Sequence, residues 1–276
     1  MLEGCGLSCF HLGLHSDKRL FVTSEFSGLN PHIFTIYRFV VAIYFAGFTV
    51  WYIPYSVTDY GWTFFIYLTN WTFIVVTCYL LLASYNSLVY YLNARRREED
   101  RLLLGRSSSA DTPDLPFIYK LQWFLYYLSA NTSIMVTVVY WTALYSTGNL
   151  NFVDLFIDLN VHTLTSFVGI IETMLSATPF RFIHVVYPLW YGAVYLFFTI
   201  IYWVAGGTDP YGHSYIYPII DYENDLVTAV LSIVGCIIGA FVFQVILWLL
   251  FNLRLTLARK SFGTKASEQS ADETTF

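Results

Sequence analysis

Long apolar runs alternate with short polar connections along almost the whole chain. Six runs are long enough to cross a bilayer as helices, which takes roughly 20 residues at about 1.5 Å of rise each. They cover roughly 33–53, 62–85, 117–145, 153–177, 184–205 and 226–253, and the second run continues as a helix towards Asn93. The pattern predicts an all-α integral membrane protein built as a bundle of six transmembrane helices.

Composition agrees. Hydrophobic types make up 57% of the residues and charged types 12%, whereas a soluble domain carries about a quarter charged residues. The placement of charge adds orientation. All 14 Lys and Arg residues fall at one side of a six-span bundle, in connections such as Arg95 to Lys120 and beyond Arg254. The alternate connections carry Asp59, Asp154, Asp209, Asp221, Glu223 and Asp225 instead. The positive-inside rule then places both the N- and C-termini in the cytoplasm. Three parts follow: a cytoplasmic N-terminal segment, 1–31; a six-span domain, 32–254, with a cytoplasmic loop at 94–116 and an outer loop at 206–225; and a disordered cytoplasmic tail, 255–276. The first span serves as the insertion signal, because His11 and His15 interrupt the N-terminal stretch. The bilayer is the plasma membrane or the endoplasmic reticulum.

Several classes are not supported. Cys5 and Cys9 lie at i, i+4 near a membrane, read either as acylation sites or as ordinary thiols. Asp158 and His162 give one i, i+4 pair, but no second cluster completes a metal shell. There is no phosphate-binding Gly loop, haem signature or nucleic-acid patch, so no cofactor, metal or nucleic acid is expected. "GCIIG", Gly235 to Gly239, fits a small-residue packing seam.

Polar residues at membrane depth are few and face the bundle interior. The fourth run holds Asp158, His162, Thr165, Gly169, Glu172 and Ser176 at steps of three and four, one helical stripe. Glu172 is the expected partner of Arg38. In the second run, "FFIYLTNWTF" places Thr69 and Asn70 among aromatics. Thr69 lies roughly 10 Å and His162 roughly 14 Å inward from the same side. Two parallel helices therefore bring a hydroxyl and an imidazole to one level. Asn70, Asn131, Asp158 and Thr165 are candidates to line a pocket around that pair. Asp158 either orients the His162 ring or sits as a wetted cap.

"FFIYLTNWTF", "DLNVHTLTSFVGIIETMLSATPFRFIHVVYPLWYGAVYLFFTIIYWVAGGTD" and "YIYPIIDY" resemble the rolling stone family of multi-span membrane proteins. That family's namesake is associated with myoblast fusion. "YLT" (Tyr67 to Thr69) and "VHT" (Val161 to Thr163) are similar, more distantly, to the androgen-induced family of membrane hydrolases. That resemblance implies cleavage of fatty-acid esters by a Thr nucleophile, Thr69, and a His base, His162. The chemistry is coherent: a buried hydroxyl attacks an ester only when a base takes its proton. Oxyanion donors are also needed. Asn70 points about 100° away from Thr69 on an ideal helix, and Asn131 is the other candidate. The partners expected are membrane lipids or a fatty-acyl ester substrate. The competing reading is non-enzymatic, a membrane scaffold or cell–cell fusion component whose polar stripe is a buried hydrogen-bond network.

Overall fold

A computed structural model describes residues 14–104, 115–145 and 151–273. Its seven α-helices are α1 (Pro31–Tyr60), α2 (Leu68–Leu104), α3 (Phe117–Val139), α4 (Phe152–Asp158), α5 (Thr165–Leu175), α6 (Val186–Val204) and α7 (Leu226–Glu273). Two π-helical turns, Tyr140–Leu144 and Leu159–Leu164, extend α3 and join α4 to α5. The chain is thus an all-α membrane protein. Five helical stretches, Pro31–Ile66, Leu68–Arg96, Phe152–Leu175, Phe182–Val204 and Leu226–Lys260, are long and apolar enough to cross a bilayer.

The remaining expected span is α3, and it differs for a physical reason. It packs against α2, α5, α6 and α7, so protein rather than lipid surrounds it. Gln122, Ser129, Asn131, Thr132 and Ser133 are all buried along it. A helix at the centre of a bundle can carry such groups because its neighbours bond them. Its 23 residues still reach about 35 Å at 1.5 Å each.

Local sequence explains the helix ends. Asn30 caps α1, its Oδ1 accepting from the His32 amide at 2.9 Å, with Pro31 following at the first helical position. Gly61, at φ 61°, stops α1 in a conformation few other residues adopt. A 3₁₀ turn, Gly61–Ile66, follows, and the extended Tyr67 separates it from α2. Asn70 and Trp71 secure this entry: Asn70 Nδ2 donates to the Phe64 carbonyl at 2.7 Å and Trp71 Nε1 to the Phe65 carbonyl at 2.6 Å.

At the cation-bearing end, three groups from different helices lock together. Arg38 Nη2 meets Glu172 Oε2 at 2.7 Å, as expected, and Tyr79 donates to the same oxygen at 2.9 Å. Arg38 Nη1 also donates to the Phe21 carbonyl at 2.6 Å. Arg254 of α7 donates to the Thr173 and Thr178 carbonyls at 3.0 and 3.1 Å, and to the Ser176 carbonyl. These are carbonyls at the end of α5, where a helix leaves acceptors unpaired and favours a cation.

Two terminal segments also take part in the helical structure. Part of the N-terminal segment enters the core: Phe21 and Val22 are fully buried, and Ser24 bridges Ser176. At the other end of the chain, α7 continues as a helix through Glu273, over most of the stretch read as a disordered tail. The Lys, Ala, Glu and Gln of "KASEQSADE" are good helix formers, so a helix is compatible there. The first part of the expected cytoplasmic loop, 94–104, continues α2, and its middle, 105–114, lies outside the described residues.

Candidate functional site

The break at Tyr67 decides where Thr69 points. Because α2 starts only at Leu68, Thr69 sits in its first turn, where backbone amides lack helical partners. The phenol of Tyr217, from the loop between α6 and α7, stands over this first turn. It faces the backbone amides of Leu68 and Thr69, the Thr69 hydroxyl and the Tyr195 phenol. Burial pushes the Tyr217 phenol up, so it stands there as a neutral hydroxyl. Tyr195 in turn donates to the Ile66 carbonyl at 2.9 Å.

Thr69 lies on the wall of a cavity of about 370 Å³. The start of α2, the C-terminal half of α3, α6, α7 and the loop residues Tyr217 to Tyr222 enclose it. Its wall is almost wholly apolar, with Met135, Val136, Leu189, Leu196, Ile233 and Ile237 among the contributors. That volume falls in the usual range for ligand sites, roughly 300–1,000 Å³. The loop that caps it is ordered by its own carboxylates. Asp209 Oδ2 bonds His213 Nδ1 at 2.8 Å, and Asp221 Oδ1 accepts from the Asn224 amide at 2.9 Å. Tyr222 and Thr199 share a hydrogen bond of 2.7 Å between the loop and α6.

His162 lies beside this cavity rather than on its wall. It occupies the π turn Leu159–Leu164, which α2 touches, so the two helices do meet near its level. Tyr140, in the other π turn, lines the cavity and stacks flat on the imidazole, with ring centroids 3.4 Å apart and planes 1° from parallel. Its phenol faces Asp158. His162 Nδ1 is 3.5 Å from Asp158 Oδ1, close enough for an ion pair but without hydrogen-bond geometry. A π turn frees a carbonyl, and here the Thr137 hydroxyl bonds that of His162. Thr137 also bonds Ser166 at 2.9 Å, and Trp141 bonds Thr163 at 2.9 Å. Two adjoining π turns, each carrying one ring of a stacked pair, form a local departure of the kind common at functional sites.

The other expected residues separate. Asn131 lines the cavity. Asp158 sits with His162 and Tyr140. Asn70 does not reach the cavity wall: Tyr52 donates to its Oδ1 at 2.8 Å, and its Nδ2 holds the entry turn. Thr165 is buried, bonding the Val161 carbonyl at 3.1 Å within its own helix. The stripe on the fourth run therefore divides, with Asp158 and His162 near the cavity and Glu172 in the distant ion pair. Tyr140 and Tyr217 belong to the site but were not candidates from sequence. The chain has 23 Tyr, so neither stood out; the only usable signal was "YIYPIIDY" in the outer loop.

Gly239 packs against α3, since a Cβ there would meet the Met135 side chain at 2.8 Å. Gly235 has open space instead. Only one end of the "GCIIG" seam makes a helix contact of that kind.

Comparison with known proteins gives two findings. The family described as "Protein rolling stone" matches residues 10–270. A Drosophila melanogaster protein, "Protein rolling stone", is 28% identical over 222 residues, covering 80% of this chain and 78% of that protein. No solved structure matches.

Proposed function

Since the chain belongs to the rolling stone family and is a multi-span membrane protein, we propose that its function lies within the bilayer: it binds the acyl part of a lipid ester in the α3–α6–α7 cavity. One observation carries this reading, the Thr69 hydroxyl on the largely apolar wall of a cavity of ligand-sized volume. An acyl chain gains roughly 0.8 kcal/mol per buried CH₂ on leaving water, but far less on leaving lipid, so the polar wall groups must select the ligand. In this orientation the cation-bearing end faces the cytoplasm and the cavity lies towards the outer side, in the plasma membrane or the endoplasmic reticulum.

A test uses a residue already present. Cys236 lies on the cavity wall. In a chain with Cys5, Cys9 and Cys78 changed to Ser, a lipophilic thiol reagent should modify Cys236. Preincubation with a long-chain acyl ester should slow that reaction at least fivefold. Equal rates with and without the ester contradict the proposal.

A second reading, turnover of the bound ester, is favoured by His162 standing one aromatic ring behind the cavity wall. Tyr140 would have to swing off the imidazole to let His162 reach Thr69. The Thr69 oxygen would then bond the ester carbon while His162 takes its proton. The ester C–O bond breaks, the departing alkoxide receives that proton, and water releases the acyl group from Thr69. The amides of Leu68 and Thr69, now facing Tyr217, would be the oxyanion donors once Tyr217 moves aside. A fluorophosphonate should label wild type, and Thr69→Ala and His162→Ala should each lose the label. Undiminished labelling of Thr69→Ala would rule out this chemistry while leaving lipid binding intact.

A further inference from the structure

We infer that the cavity fills sideways from the bilayer: one acyl chain of a two-chain lipid enters between α6 and α7, while the head group and the other chain stay in the membrane. The inference deepens the lipid-binding reading above and rests on it. It makes the ligand a membrane-resident lipid rather than a water-borne ester.

The two helices are tied at both ends of the cavity and not between. Towards the cation-bearing end, Gln244 Nε2 of α7 donates to the Phe182 carbonyl at 3.2 Å, in the turn that leads into α6. Towards the other end, the Thr199 hydroxyl of α6 shares its 2.7 Å bond with Tyr222, and the turn Pro218–Ile220 packs on α7. Between these ties, no hydrogen bond joins α6 to α7 among the described residues, and their packing contact is sparse. Gly192 lies in this stretch on the cavity wall, and a Cβ there would meet nothing within 4 Å. The result is a slot along the side of the bundle.

The rims of the slot belong to two surfaces at once. Ala193 of α6 lines the cavity and is exposed. It sits three residues after Trp190 and four before Phe197, both exposed, so the three share one helical stripe. Ile237 of α7 repeats the arrangement. It lines the cavity, is 47% exposed, and lies three residues after Val234 and four before Phe241, both exposed. A wall residue on the lipid-facing stripe of each helix marks an opening, since a closed wall would bury it.

Depth and charge decide which part of a lipid passes. On α7 the cavity wall begins at Ser232, six residues or roughly 9 Å past the helix start, and ends at Ala240, roughly 12 Å deeper. The opening therefore lies among acyl chains, beneath the head groups of a hydrocarbon layer about 30 Å thick. Among the described residues, no Asp, Glu, Lys, Arg or His lines the cavity. A phosphate drawn inside would lose its water and gain no counter-charge, a cost of several kcal/mol. A hydrocarbon chain merely exchanges lipid neighbours for apolar side chains. The approach from water is more restricted, because Asp221 Oδ1 holds the loop over that end by accepting from the Glu223 and Asn224 amides at 3.1 and 2.9 Å.

The test uses the full-length chain in nanodiscs with two photoreactive phosphatidylcholines. One carries a diazirine at the end of an acyl chain and the other carries it on the head group; labelled residues are mapped by mass spectrometry. The chain-end probe should label the buried wall residues Thr132, Val136 or Tyr195 as well as the lipid-facing Phe197 and Phe241. The head-group probe should label none of the buried three. Ala193→Trp should cut the ratio of buried to lipid-facing labelling at least fivefold. Val194→Trp, exposed but off the cavity wall, should leave that ratio within twofold. Ile237→Trp against Ile238→Trp repeats the comparison on α7, so a single misfolded variant does not decide the result. Equal ratios within both pairs, or buried labelling by the head-group probe, overturn the slot as the entrance. Absence of buried labelling by the chain-end probe in wild type overturns it too. In that case, protection of Cys236 by the acyl ester leaves lipid binding standing with another route of entry, and no protection overturns both.

Discussion

Thr69 reaches the cavity because of its neighbours more than its own chemistry. Tyr67 interrupts the helix, Asn70 and Trp71 tie down the turn before it, and the Tyr217 phenol faces the amides that begin the new helix. Replacing a capping acceptor typically costs about 1 kcal/mol. Tyr217→Phe should therefore lower the thermal unfolding midpoint by a few degrees in detergent, whereas Thr69→Ala, which leaves the cap in place, should change it little. Equal effects would mean that Tyr217 does not cap α2. The sequence did reveal that Thr69 and Asn70 face different ways, since adjacent residues on a helix diverge by about 100°. It did not reveal the turn at Gly61–Ile66, because "GWTFFI" reads as a continuing apolar helix. It also hid Tyr140, one of many aromatics, whose role depends on the π turn that aims it at His162.

At the scale of helices, α3 is the axis and small residues set how closely others approach it. A Cβ on Gly169 of α5 would lie 3.3 Å from the Ala130 Cα of α3. Gly169→Leu should force these helices apart and destabilise by roughly 1–3 kcal/mol, seen as a lower unfolding midpoint. Gly192→Ala, in open space, should be neutral or stabilising by up to about 1 kcal/mol. The Arg38–Glu172 pair makes a different kind of demand. Removing one member leaves the other charge buried and alone, at a cost of roughly 3–5 kcal/mol. Arg38→Met should accordingly be severe, and Arg38→Met with Glu172→Leu should recover most of the loss; no recovery would show that the backbone bonds of Arg38 dominate. This pair was legible from the stripe and depth, because charges at membrane depth must find one another. The π turns were not, since "LNVHTL" and "YWTAL" contain no residue that dictates them.

Over the whole molecule, the two ends of the bundle are built differently. The cation-bearing end is closed by Phe21, Arg38, Glu172 and Arg254, while the other holds the cavity beneath an ordered loop. Burial by itself would raise the Asp209 carboxyl in that loop. Bonds from the His213 ring and from the amides of His213 and Tyr211 outweigh this and hold it below its ordinary value. Because the folded value is depressed, its stabilising contribution is complete above the unfolded value, about 4, and is lost as pH falls further. Hydrogen exchange in the loop should stay slow at pH 6 and quicken below about pH 4, and His213→Ala should shift that onset upward. Apolar runs and charge placement were enough to expect an all-α membrane bundle. They did not show that residues near Phe21 enter the core, because a short polar-flanked "LFV" resembles any connection. The most direct measurement is mass spectrometry of lipid retained by the purified full-length chain, wild type against Gly192→Leu, which adds a large side chain to the cavity wall at a position with free space. Wild type should retain an acyl lipid in near-stoichiometric amount, and the folded variant should lose at least nine-tenths of it. Equal retention by both proteins would contradict the cavity as the lipid site.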